Sequence, residues 1–235
     1  MDTQTRHALK GDKFAQATAE SFSWISGHRS GVLRWAVGAG VAVLLVIGAS
    51  IFWTLRSTAA DSALGAAMDT YNAPLAQPGL PAGNGIYATS ADRAKAANTQ
   101  FAAAAKQYGL MPQGTKARYF EGITNEDLGQ NAAAETALTD ASGAWDRNVA
   151  NLAKLALAGL YHQTGRDAQA VDLLNALIAK PSETVSATVA QLDLADLYAA
   201  QGKQDQARAL WARVKDQDKE GPGGAIAAQK LGAKQ

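Results

Sequence analysis

The sequence predicts an all-α protein, an α-solenoid of stacked helix pairs preceded by a single transmembrane helix. Three observations lead there. Residues 35–55, WAVGAGVAVLLVIGASIFWTL, hold no charged side chain. From residue 60 onward the chain is alanine-rich, and its apolar residues recur at helical spacing. Finally, glycines at 129, 165 and 202 stand 36 and 37 residues apart and carry the same neighbours in the same phase.

The uncharged stretch is bounded by Arg34 and Arg56. As a helix rising ~1.5 Å per residue it is about 31 Å long, the thickness of a bilayer's hydrocarbon core. Trp35 and Trp53 stand near its ends, where indole rings favour the headgroup level. Ser57-Thr58-Ala59 resembles a cleavage site. However, the apolar region is longer than a signal peptide's, and thirty-four residues precede it, so the segment reads as a retained anchor. Ala36/Gly40 and Gly38/Ala42 are small pairs at four-residue spacing, suited to close approach of another helix.

Orientation follows from the flanks. Arg6, Lys10, Lys13, Arg29 and Arg34 precede the span, whereas after Arg56 no Lys or Arg occurs until Arg93. Basic residues near a span stay on the cytoplasmic side, which puts residues 1–34 inside and 57–235 across the membrane. Within the arm, Phe14, Thr18, Phe22 and Ile25 recur at three- and four-residue steps, a pattern suited to an amphipathic helix at the membrane surface.

Beyond Arg56, Leu64, Met68, Tyr71 and Leu75 share one helix face. Pro74, Pro78, Gly79, Pro81, Gly83 and Asn84-Gly85 then predict a loop over 76–89. Helix resumes after Thr89, with Asp92 placed to complete a capping box. Its inner face reads Ala94, Ala97, Phe101, Ala105 and Tyr108, ending at Gly109 ahead of Pro112.

The repeat then takes over. Five residues after each phased glycine comes Ala134, Ala170 or Ala207, and four further on Leu138, Leu174 or Trp211. Three beyond those stand Ala141, Leu177 and Val214, while four before the glycine stand Asn125, Tyr161 and Tyr198. Glycine ends a first helix in a tight turn, alanine lets the returning helix pack closely, and the large residue fills the gap between pairs. No pair buries its apolar face alone, so the units stabilise one another.

These residues, LYHQTGRDAQAVDLLNALIAKP above all, resemble the tetratricopeptide repeat. Units are expected at about 57–112 (with 76–89 inserted), 114–147, 150–183 and 187–220, with a closing helix at 225–231. The arrangement is also similar to the YfgM-like ancillary subunits of the bacterial Sec translocon. ADSALGAAMDTYNA, residues 60–73, follows the span directly, as that family's first helix does. The resemblance implies a single-pass protein of the bacterial inner membrane. Its N-terminus would be cytoplasmic and its repeat domain periplasmic, scaffolding translocon subunits and periplasmic chaperones. An adaptor for cell-envelope or outer-membrane assembly is the alternative.

Composition narrows the chemistry. The formal net charge is +1, and residues 57–235 carry sixteen basic and eighteen acidic side chains, no footprint for nucleic acid. Cysteine is absent and the three histidines, at 7, 28 and 162, are far apart, so no metal, cofactor or thiol site is expected. Gly83-x-Gly85 lies in a proline-rich loop, outside the strand-to-helix context of a phosphate-binding turn. Asp167, Asp172 and Glu183 read as solvated helix surface. No catalytic arrangement and no small-molecule site emerge, and a protein-binding groove lined by first helices is expected instead. The repeat phase assigns to it Lys116, Tyr119, Glu126, Asp127, Leu152, Leu155, His162, Gln163, Leu192 and Asp196. A membrane-tethered hydrolase finds no supporting constellation.

Overall fold

The computed structural model of the chain describes residues 29–232 apart from 78, 80 and 84. The proposed amphipathic arm, with Phe14, Thr18, Phe22 and Ile25, lies outside the described residues. Among the described residues there are nine helices: α1 (Arg29–Tyr71), α2 (Ser90–Gln107), α3 (Pro112–Asp127), α4 (Asn131–Ser142), α5 (Arg147–Gln163), α6 (Asp167–Ala179), α7 (Ala187–Ala200), α8 (Gln204–Gln217) and α9 (Pro222–Gly232). The chain divides into two units, residues 1–56 and 57–235.

In the first unit the apolar stretch is helical and residues 37–55 are exposed, Leu44, Leu45 and Phe52 among the bare side chains. Helix α1 contains a segment, Val37–Tyr71, long and apolar enough to cross a membrane. The helix outlasts the apolar stretch because residues 56–71 contain no proline and only one glycine, Gly65. It stops at Tyr71, ahead of Pro74, whose ring disfavours helical geometry in the residue before it. Leu75, assigned by its spacing to the same helix face as Leu64 and Met68, therefore lies beyond the helix. There it makes a parallel bridge to Tyr87, and a second bridge, Gly83 to Ile86, closes the tip of the loop. Ala76 N–H donates to Tyr87 O at 2.8 Å, so both loop ends are tied together.

In the second unit the remainder of α1 shares a buried cluster with α2; α3 pairs with α4, α5 with α6 and α7 with α8, while α9 closes the stack. Four buried clusters run along it. Ala60, Ala67, Ala97, Phe101 and Ala117 join the first three helices, with Phe101 stacked on Phe120 at 5.2 Å between ring centroids. Leu138, Leu157 and Leu160 join α4 to α5. Leu174, Leu177 and Leu194 join α6 to α7, and Trp211, Val214 and Ala227 join α8 to α9. The alanines of the repeat phase, Ala134, Ala170 and Ala207, are all buried where helices cross. The small alanine side chain there lets backbones approach, and the large phased residues fill what remains.

The phased glycines have left-handed backbones, with φ of 69° at Gly129, 76° at Gly165 and 75° at Gly202. Each is bracketed by a hydrogen bond spanning five residues: Gln130 N–H to Asn125 O, Arg166 N–H to Tyr161 O and Lys203 N–H to Tyr198 O. That is the Schellman closure of a helix C-terminus. In two units the bond also draws a cation onto an aromatic face. The Arg166 guanidinium lies 4.4 Å from the Tyr161 ring centre, and the Lys203 ammonium 5.5 Å from that of Tyr198. With Asn125 and Gln130 at the equivalent positions, the first turn has no such pair. Helix starts are fixed as well: Thr89 accepts from Asp92 N–H, Asp146 from Asn148 N–H and Ser186 from Val189 N–H. The closing helix starts at Pro222, three residues ahead of its expected start, because proline suits the first helical position.

Candidate functional site

The first helices do not stand at equal distances. Helix α3 packs along α5 and α7 along α9, whereas α5 and α7 lie further apart. The cause is local. Connections 108–111, 143–146 and 218–221 have four residues, while the one from α6 to α7, residues 180–186, has seven. Its extra length is folded inward. Val185 is fully buried, Thr184 Oγ1 donates to Asn148 O at 2.9 Å, and Asn151 Nδ2 donates to Lys180 O at 3.0 Å. The wedge props the start of α7 away from α5. A cavity of about 250 Å³ opens between them, lined by Leu155, Ala158, Gly159, His162, Leu174, Asp193, Asp196 and Leu197.

Its floor is apolar: Ala158, Leu174 and Leu197 are each at most 4% exposed. Its rim is polar. His162 Nδ1 lies 2.7 Å from Asp167 Oδ1, and the hydrogen bond from His162, helped by Gln201, holds the Asp167 carboxyl below the usual carboxylate range. Across the mouth, Asp196 accepts from Lys230 Nζ of α9 at 2.8 Å. Asp193, one turn earlier, makes no ion pair among the described residues. Desolvation by the surrounding protein, and then the Asp196 charge, push its carboxyl above the usual range.

Of the ten residues assigned to a groove by repeat phase, Leu155, His162 and Asp196 are thus gathered around one cavity. Glu126 and Gln163 join α3 to α5 through a 2.8 Å hydrogen bond. Asp127 accepts from the Tyr71 hydroxyl at 3.3 Å, which ties α3 to α1. Tyr119 packs edge-on against Phe120 and belongs to the α4–α5 core. Its hydroxyl titrates above the usual range, from desolvation and then Glu126. Leu152 and Leu192 are half-buried against neighbouring clusters and contribute packing. Lys116 is exposed on α3, away from the cavity. Asp172 is exposed on α6.

Two rim residues escape the repeat phase. Asp193 follows Leu192 directly and sits three residues before Asp196, so the same helical face reaches both. Gly159 interrupts the interior of α5, where glycine costs about 0.5–1 kcal/mol against alanine, and a Cβ built there meets no atom within 4 Å. Packing does not require that glycine; its effect is to leave the cavity mouth open. A lone helix-interior glycine was the available signal. Among the described residues no group of three or more His, Asp or Glu comes together to hold a metal ion. The cavity presents an apolar floor beneath a rim of charged and polar side chains.

A sequence profile of the tetratricopeptide repeat-like domain matches residues 34–233. No curated protein and no solved structure matches the chain. The profile runs from the last residue before the apolar stretch to beyond α9, through every helix pair and the turns at Gly129, Gly165 and Gly202. On that coverage, the chain belongs to the tetratricopeptide repeat-like domain family.

Proposed function

We propose that the chain is a non-enzymatic adaptor, anchored in the bacterial inner membrane by residues 35–55, whose periplasmic repeat domain holds protein partners on the face of its first helices. The observation that carries this reading is the cavity between α5 and α7, where Leu155, His162 and Asp196 share a solvent-facing mouth over an apolar floor. A concave site with an apolar base and a few convergent polar groups suits a side chain or short segment of another protein. The similarity to YfgM-like subunits supports translocon components and periplasmic chaperones as those partners.

The test uses the full chain, purified in mild detergent, with photo-crosslinkers at the exposed Lys116 and His162 and, for comparison, at Thr136, which is exposed on α4. Capture of translocon subunits or chaperones at Lys116 and His162, with Thr136 silent, is the expected result. Capture of outer-membrane assembly proteins at the same positions keeps the adaptor and replaces its partner. Capture at Thr136 alone moves the binding face to the second helices and refutes the reading.

A further inference from the structure

We infer that the α5–α7 cavity is a subsite for a basic partner segment: it takes one large apolar side chain on its floor and a lysine or arginine at Asp193 on its rim. The inference rests on the adaptor reading and specifies the chemistry of what is bound.

Size comes first. A dry engineered cavity of about 150 Å³ accepts benzene, so the roughly 250 Å³ here suits one phenylalanine or leucine side chain. The floor residues, Ala158, Leu174 and Leu197, offer such a side chain only apolar contacts.

Charge comes second. Asp193 and Asp196 face the same mouth at i, i+3 spacing, where like charges repel. Both also lie beyond the first turn of α7, where the helix dipole offers a carboxylate no compensation. Neither placement stabilises the helix. Lys230 covers Asp196 at 2.8 Å, so the chain itself shows an ammonium seated on this rim. Asp193 is left without an ion pair among the described residues, and a cation from a partner would offset the repulsion between the two carboxylates. Gly159 is the third feature. A helix-interior glycine without a packing reason stands at the same mouth, where any larger side chain would narrow the entry. Two departures from what stability favours, on different helices, converge on one opening. Local choices that cost stability are expected where function requires them.

The probe is the peptide acetyl-Gly-Phe-Lys-Lys-Gly-amide with benzoylphenylalanine in place of Phe, its counterpart bearing two Glu in place of Lys, and the full chain in detergent. Crosslinked sites are mapped by mass spectrometry, and apparent affinity is read from competition by the unmodified peptides. The lysine peptide should insert into α5 and α7 around Leu155 and Leu197, competing about tenfold more tightly than the glutamate peptide at low salt. Asp193→Asn with Asp196→Asn, both on exposed positions, should erase that preference and leave the helical circular dichroism unchanged. Gly159→Leu should abolish insertion of both peptides. Equal competition by the two peptides, or insertion elsewhere, overturns the inference. If neither peptide inserts while Lys116 and His162 still capture a protein partner, the basic-segment subsite is wrong and the adaptor stands. If both experiments fail, the adaptor reading falls with it.

Discussion

Glycine placement offers the sharpest test of the packing. Gly114 lies in the first turn of α3, directly under the end of α2, and a Cβ there would overlap the Tyr108 carbonyl and stand 2.7 Å from Gly109 N. These are backbone atoms, so no side-chain rotation relieves the overlap. Overpacking of this kind costs about 1–3 kcal/mol, while a glycine-to-alanine change returns at most ~1 kcal/mol of helix propensity. Because backbone meets backbone, the upper end of that cost applies, and Gly114→Ala should destabilise by about 2 kcal/mol net. For a domain of 150–250 residues, where 1 kcal/mol corresponds to about 2–4 °C, the midpoint should fall by roughly 4–8 °C. Gly159→Ala is the matched opposite. No atom lies within 4 Å of its Cβ, the residue sits inside α5, and a gain of about 0.5–1 kcal/mol should raise the midpoint by about 1–4 °C. The assay is thermal melting of the full chain in detergent, followed by circular dichroism at 222 nm. Shifts of the same sign in both variants would refute the reasoning, since only packing geometry separates the two glycines.

Three further outcomes are expected. Ala170→Leu inserts a large side chain where α6 crosses its neighbours and should lower stability by about 1–3 kcal/mol, whereas Asp172→Ala, exposed on the same helix, should change it by less than ~0.5 kcal/mol; equal melting shifts would show the repeat phase to be misread. The hydrogen bond from Arg166 holds Glu135 below the usual carboxylate range, so its contribution is present above the unfolded pKa and lost as pH falls through the folded one. Glu135→Gln should accordingly melt below the parent at neutral pH, with the gap closing on acidification, and a pH-independent gap would exclude the ion pair as its cause. For the topology proposal, alkaline phosphatase fused after residue 60 should be active and one fused at residue 20 inactive; the reverse pattern would overturn the orientation argued from the five basic residues of the arm.

The sequence alone determined the features that depend on local chemistry. An uncharged run flanked by arginines specifies an apolar helix whatever follows it. Glycine four residues after Tyr161 and Tyr198 specifies a left-handed helix end, because a Cβ there is strained irrespective of neighbours. Alternation of small and large residues in fixed phase specified which side of each second helix is buried, and Ala134, Leu138, Ala170, Leu174, Ala207 and Trp211 are all in the core.

What the tertiary structure decided is the spacing between neighbours. Repeat phase gives the direction in which a residue points, but not how near the next helix stands in that direction. Tyr119, Leu152 and Leu192 point toward the expected face, yet adjacent helices close over much of each, and they serve as packing. Leu155, His162 and Asp196 point the same way and surround an opening, because residues 180–186 fold Val185 inward and hold α7 off α5. The crowding of Gly114 beneath Tyr108, and of Gly224 beneath Asp218, was likewise invisible to periodicity, since each glycine meets a carbonyl from a preceding turn. Direction along a helix is fixed within one turn of sequence; distance between helices is set by side chains and connections that meet only in the folded chain.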